Sequence, residues 1–155
     1  MSESISEVLQ LESGECKWWN KPLVHFGGRL IPAELAILSR ELRPGEKGAW
    51  LNSRGTNSGV ADLVSSKEGK YITKRVPLPA FVSVLLTRIY RQANVKRGCP
   101  DLVIWNSETK RIRLVEVKCP HWDRPSQEQK QFLQAAESSG ILAKIVEWEF
   151  QERAG

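Results

Sequence analysis

Two short apolar runs, Leu102-Val-Ile-Trp105 and Ile112-Arg-Leu-Val-Glu-Val-Lys118, flank the turn-forming stretch Asn106-Ser-Glu-Thr-Lys110. β-Branched and aromatic residues fill both runs, so the segment predicts a β-hairpin. Pro120 ends the second strand. That strand is apolar at Leu114, Val115 and Val117, which marks it as buried on at least one face, yet it carries Glu116 and Lys118. Side chains alternate along a strand, so these two charges leave the same face. A charge on a buried strand is costly unless it is paired or bound to a metal. Asp101 follows Pro100 at the start of the first run, and a turn near residues 106–110 brings it close to Glu116. Two carboxylates and one ammonium then converge at the end of the hairpin.

Two neighbouring carboxylates repel, and a hard divalent cation such as Mg²⁺ relieves the repulsion with oxygen ligands. Such an ion polarises a phosphate and acidifies a bound water, while Lys118 positions that water or steadies developing charge. This is the layout of a phosphodiester hydrolase. The competing reading is structural: Glu116 and Lys118 form an ion pair and Asp101 terminates a strand.

The rest of the chain bounds these readings. Its 155 residues suit one compact domain, and 41% hydrophobic content supports a core. No apolar run reaches the ~18 residues of a membrane span, and the start lacks the pattern of a cleaved signal peptide. A cytoplasmic protein without a membrane partner is expected, with delivery into another cell by a signal-independent route left open. The formal charge is +5, unevenly placed. Residues 1–16 hold Glu3, Glu7, Glu12 and Glu15 and no Lys or Arg. Residues 17–155 therefore carry 23 Lys and Arg against 14 Asp and Glu, a net +9. A basic body suits a polyanionic partner, nucleic acid or an acidic protein surface. Three cysteines without a CxxC pair point to a reduced chain without a zinc site.

Residues 1–16 read as an acidic leader with a short helix on Ile5, Val8 and Leu9, ahead of a single domain over 17–155. Residues 17–29 read as a loop with an aromatic anchor at Trp18 and Trp19. Pro32 opens a helix to Arg43, with Leu35, Leu38 and Leu42 on one stripe. Residues 45–75 read as loops and short strands. A second helix spans Pro79 to Gln92, and a third opens at Ser126 and ends at Gly140. A last strand holds Ile145, Val146, Trp148 and Phe150. The order predicts a mixed α/β sandwich around one sheet.

The stretch Gly98-Cys-Pro-Asp-Leu-Val-Ile-Trp-Asn-Ser-Glu-Thr-Lys-Arg-Ile-Arg-Leu-Val-Glu-Val-Lys-Cys-Pro120, with Asp123-Arg-Pro-Ser-Gln-Glu-Gln129, resembles the VRR-NUC branch of the PD-(D/E)XK nucleases. It looks closest to the nuclease core of the Fanconi-associated type, over roughly residues 79–150. The resemblance implies a restriction-endonuclease-like α/β fold, a mixed sheet flanked by helices. It also implies metal ligands at Asp101, Glu116 and the Val117 carbonyl, a Mg²⁺ or Mn²⁺ cofactor, and Lys118 as catalytic lysine. Gln129 matches the family's site-facing helix glutamine, although Ser126-Gln-Glu-Gln129 also reads as a capping box. The family's first-helix glutamate matches Glu34 best, with Glu41 as a substitute; a carboxylate at a helix start accounts for Glu34 equally well. Cys119 stands where the family has a small residue, and Phe132 where it often has Trp. Asp62, in Gly59-Val-Ala-Asp-Leu-Val64, imitates the motif without a hairpin partner and is read as a decoy.

Arg88, Arg91, Lys96, Arg97, Lys110, Arg111, Arg113 and Arg124 supply phosphate-binding charge, each with a solvated surface as its alternative. Trp122, beside the motif, is the tryptophan favoured for base stacking. The expected protein is a Mg²⁺/Mn²⁺-dependent DNA endonuclease, sequence-independent and structure-selective. Within the resembled family it fits an antibacterial type VI secretion effector held by an immunity protein, or a repair or junction-resolving nuclease that acts as a homodimer. A non-catalytic DNA-binding or protein-interaction module is the alternative of another class.

Overall fold

The computed structural model describes residues 4–18, 21–51, 56–65, 71–118 and 126–151. In chain order these form β1 (Ser4–Trp18), β2 (Lys21–Phe26), β3 (Arg29–Pro32), α1 (Ala33–Glu41), β4 (Glu46–Trp50) and β5 (Ser58–Ser65). There follow β6 (Tyr71–Pro77), α2 (Ala80–Ala93), β7 (Leu102–Asn106), β8 (Ile112–Lys118), α3 (Gln127–Ser138) and β9 (Leu142–Gln151). The strands form one mixed sheet in the order β3-β2-β1-β9-β8-β7-β4-β5-β6. Strands β7 and β8 are the antiparallel hairpin, with Leu102 opposite Val115 and Trp105 opposite Ile112. Helix α3 then carries the chain over to β9, which lies parallel to β8.

Alternation along these strands sorts the core into two layers. Leu102, Ile104, Val115, Val117 and Val146 pack with Leu35, Ile37 and Leu38 of α1. Val103, Trp105, Leu114 and Ala143 pack with Val82, Leu86 and Ile89 of α2 and Phe132 of α3. The sheet is therefore covered by α1 on one face and by α2 and α3 on the other. This is the expected α/β architecture, a restriction-endonuclease-like core. Both sides of β7 and β8 are dry, which explains their near-continuous apolar sequences.

Three expectations give way. The short helix expected over residues 1–16 is strand β1, paired in parallel with β9 from Ser4 opposite Ala143 to Glu12 opposite Gln151. Leu9 and Leu11 alternate with Gln10 and Glu12, and the open edge of β9 recruits that strand pattern. The aromatic anchor expected at Trp18 and Trp19 lies outside the described side chains, while residues 17–18 end β1 and residues 21–29 enter the β2–β3 hairpin rather than a loop. Its turn is made by Gly27 and Gly28 at φ +59° and +77°, the two successive left-handed residues of a tight turn matched to strand twist. Pro32 does not occupy the first helical position. It keeps an extended ψ of 144°, pairs with Leu23 in the sheet and serves as the N-cap of α1.

Candidate active site

Asp101 sits one residue before β7, its backbone carbonyl accepting a 2.7 Å hydrogen bond from the Leu51 N–H. Its Oδ2 accepts a 2.9 Å hydrogen bond from the Val117 N–H, which binds the start of β7 to the end of β8. Glu116, the neighbour of Val117, is 1% exposed. By alternation it faces the α2–α3 layer with Leu114. The Lys118 Nζ lies 3.3 Å from Glu116 Oε1 and donates to Gln129 Oε1 at 3.2 Å. Gln129 Nε2 donates to the same Glu116 Oε1 at 3.4 Å. Asp101, Glu116, Lys118 and Gln129 thus meet where β7 begins, β8 ends and α3 starts.

The electrostatics of this group are strained. Burial pushes the Glu116 carboxyl up to about 9, and the nearby Asp101 charge adds to the shift against the opposing pull of Lys118. Glu116 Oε2 is buried and accepts no hydrogen bond from the described residues. An ionised Glu116 therefore has a desolvated oxygen facing a second carboxylate, with a single ammonium as compensation. Cys99, two residues before Asp101, is held as a thiol. Burial pushes its pKa up to about 12, and its Sγ donates to the Pro100 carbonyl at 3.2 Å. A thiol so far from ionisation is no nucleophile.

Helix α3 fixes one corner of the group. The Ser126 hydroxyl accepts from the Gln129 N–H at 3.1 Å, and Gln129 Oε1 accepts from the Ser126 N–H at 2.9 Å. The two readings of Gln129 from sequence therefore coexist: it closes a capping box and faces Lys118 and Glu116. Gly98, at φ +111°, lets the loop into Asp101 approach this turn. A Cβ there would lie 2.7 Å from the Glu128 carbonyl carbon and 2.9 Å from the Gln129 nitrogen. Arg97 adds an exposed ion pair to Glu128 at 2.8 Å. Neither Gly98 nor Ser126 stood out in the sequence as a site residue; the glycine directly before Cys-Pro-Asp was the available signal.

Other candidates lie elsewhere. Glu34 is buried in the first turn of α1, which packs on the other face of the sheet from α3. Among the described residues no three His, Cys, Asp or Glu side chains gather into a group that could hold a metal. Glu41 instead pairs with Lys144 at 2.8 Å, and Asp62 with Arg29 at 3.0 Å. Arg113, read as a phosphate-binding charge, is 8% exposed. It grips Glu46 through Nε at 3.1 Å and Nη2 at 2.8 Å, and also donates to the Glu41 carbonyl. Odd-numbered on β8, it points beneath α1 rather than to solvent. Arg91 and Lys96 are exposed at and beyond the C-terminal end of α2. Arg88, Lys110 and Arg111 line a groove of about 700 Å³ with Phe81, Val84 and Leu142. That groove is at the opposite end of the β7–β8 hairpin from Asp101 and Lys118. Trp122 and Arg124, like Asp123, fall outside the described residues.

Residues 82–148 match the VRR-NUC domain family. The chain is 41% identical over 70 residues to a Fanconi-associated nuclease 1 homolog from Caenorhabditis elegans, covering 45% of this chain and 8% of that protein. It is 35% identical over 94 residues to the Caenorhabditis briggsae homolog, covering 61% of this chain and 10% of that protein. The chain thus spans about a tenth of the length of these relatives. Crystalline paFAN1 bound to 1-nucleotide 5′-flap DNA with a gap overlays 97% of this chain and 38% of its own, at a TM-score of 0.52 and 14% identity. That likeness is one of fold. The family match spans nearly all of α2, the β7–β8 hairpin, α3 and most of β9, which are the elements that assemble Asp101, Glu116, Lys118 and Gln129, so the part of the chain that carries the site is the part similar to the VRR-NUC domain.

Proposed function

We propose that this protein is a divalent-cation-dependent DNA endonuclease whose catalytic residues are Asp101, Glu116, Lys118 and Gln129. The observation that carries the reading is the buried, hydrogen-bond-orphaned Oε2 of Glu116 beside Asp101, with the Lys118 ammonium 3.3 Å from the other oxygen. A structural ion pair needs one acid and one base. Here a second acid, Asp101, acts on Glu116 against the pull of Lys118, and the group lies within the part of the chain that matches the VRR-NUC domain. The residues fit a hard cation: a desolvated Glu116 carboxyl with a raised pKa, beside a second carboxylate, is relieved by positive charge on its oxygen ligands. Asp101, Glu116 and the Val117 carbonyl would hold Mg²⁺ or Mn²⁺, which when bound polarises the phosphate and acidifies an attacking water. Lys118 steadies charge that develops on the phosphate and orients the water. Gln129 holds the Lys118 ammonium through Oε1.

DNA is the proposed substrate, bound through exposed Arg91, Lys96 and Arg97 near the site, without reading of bases and with strong salt sensitivity. The paFAN1 crystal, which shares this fold over 38% of its chain, contains flap DNA, and branched or flapped DNA is therefore the proposed preference over plain duplex. An antibacterial use of the same chemistry has its own readout: growth arrest on expression that Asp101→Ala abolishes. Nicking of supercoiled plasmid tests the activity itself. The wild type should nick in Mg²⁺ and not in chelator, and Lys118→Ala should fall by at least about 10²-fold. Equal nicking by both proteins would defeat the proposal.

A further inference from the structure

We propose that Ser126 is a positioning residue: its capping box holds the Gln129 amide in the orientation that serves Lys118 and Glu116 together. The kinetic part of this inference rests on the nuclease reading above; the geometric part stands without it.

A glutamine amide presents an acceptor on one side and donors on the other, and a half-turn exchanges them. Three contacts depend on that choice. Oε1 accepts from the Lys118 Nζ at 3.2 Å and from the Ser126 N–H at 2.9 Å, while Nε2 donates to Glu116 Oε1 at 3.4 Å. Turned over, the amide would set its oxygen against the Glu116 carboxylate and its NH₂ against the Lys118 ammonium. The Ser126 N–H is a neutral partner that favours the productive orientation whatever the ionisation of the other two groups. It stays aligned with Oε1 only while the Ser126 hydroxyl holds the turn, which is the part that Ser126→Ala removes. The Ser126 hydroxyl, accepting from the Gln129 N–H at 3.1 Å, pins the backbone from which the side chain departs. The same turn is seated on the loop into Asp101, because the Gly98 backbone leaves no room for a side chain against Glu128 and Gln129.

A capping box by itself uses only the acceptor of its third residue, and glutamate fills that place as well as glutamine. The Nε2 donor is superfluous to the cap, and here it is spent on Glu116. Gln129→Glu therefore separates the roles: the cap survives, while the donor is lost and a charge is placed beside Glu116. Ser126 is exposed, and its side-chain and N–H hydrogen bonds among the described residues are both with Gln129, through which it acts.

The experiment compares kcat, KM and thermal midpoint for wild type, Ser126→Ala, Ser126→Thr, Gln129→Glu, Gln129→Ala and the Ser126→Ala/Gln129→Ala pair. It also follows the Gln129 side-chain amide by ¹⁵N-resolved NMR hydrogen exchange. We expect Ser126→Ala to lose about tenfold in kcat, the scale of groups that orient catalytic residues, with KM within about twofold. Ser126→Thr should restore it. Gln129→Glu should keep its midpoint and lose kcat, and the double variant should equal Gln129→Ala. The Gln129 NH₂ should be protected in the wild type and exposed in Ser126→Ala. Full kcat in Ser126→Ala despite a lowered midpoint would overturn the proposal, as would multiplying losses in the double variant or an NH₂ that stays protected. A wild type that cleaves no DNA would defeat the nuclease reading instead, and the exchange result alone would then decide the role of Ser126.

Discussion

Glu116 is held under conditions that oppose its charge, and this has a measurable sign. The carboxyl titrates near 4.5 in the unfolded chain and near 9 in the fold, with burial as the main cause. A raised pKa means that the folded state binds the proton more tightly. The contribution of Glu116 to stability is therefore full below pH 4.5 and is lost as pH rises towards 9. In chelator, the urea midpoint of the wild type should fall across that window relative to Glu116→Gln, which carries no titrating group. Parallel curves for the two proteins would contradict the burial account. Addition of Mg²⁺ should restore wild-type stability most at the alkaline end, where the carboxylate no longer has to lose a proton to bind. At this scale the sequence was informative because two strands and a turn set Asp101, Glu116 and Lys118 within local reach. It was silent on which face of the sheet α1 covers, since spacing within a helix does not record it. Arg113 misled for a related reason: a basic residue beside a motif looks solvent-facing until alternation places it under α1.

The elements are tied to one another at a few defined contacts. Arg113 joins β8 to β4 through Glu46 and to the C-terminal end of α1 through the Glu41 carbonyl. Its guanidinium holds the Glu46 carboxyl below the usual carboxylate range. Arg113→Ala leaves Glu46 without its partner and should cost about 3 kcal/mol in urea unfolding at pH 7. A depressed acid stabilises the fold above its unfolded pKa of 4.5 and ceases to as pH falls below that value, so the deficit should shrink in acid. A deficit independent of pH would show that packing of the arginine stem, not the pair, is responsible. Gly98→Ala tests a different joint. The added carbon collides with backbone rather than with a movable side chain, and φ of +111° is hostile to alanine. The start of α3 must shift from Asp101, so kcat should fall along with the thermal midpoint; an unchanged kcat would show that this seat does not set the site. Helices α2 and α3 were legible in the sequence from their apolar stripes and caps. Strands β2 and β3 were concealed by Trp18, Trp19 and the paired glycines, which resemble loop composition unless the glycines are taken as a hairpin turn.

At the scale of the whole molecule, β1 is the element that the sequence conceals most completely. Its pairing partner β9 lies more than 130 residues away, and no local pattern announces a parallel strand whose partner is so distant. The structure places β1 between β2 and β9, so it joins the β2–β3 hairpin to the strands that carry the site. Deletion of residues 1–18 should therefore abolish cooperative unfolding or solubility, while a dispensable leader would leave the thermal midpoint unchanged. The assembled fold brings the two acids and the lysine to one end of the sheet, and the proposed chemistry depends on that convergence. The most direct test is cleavage of end-labelled flap DNA by wild type and Glu116→Gln across a Mg²⁺ titration. The account predicts that wild-type cleavage rises with Mg²⁺ and vanishes in chelator, and that Glu116→Gln, folded and still bound to DNA, does not cleave. Cleavage by Glu116→Gln, or by wild type freed of divalent ions, would contradict it.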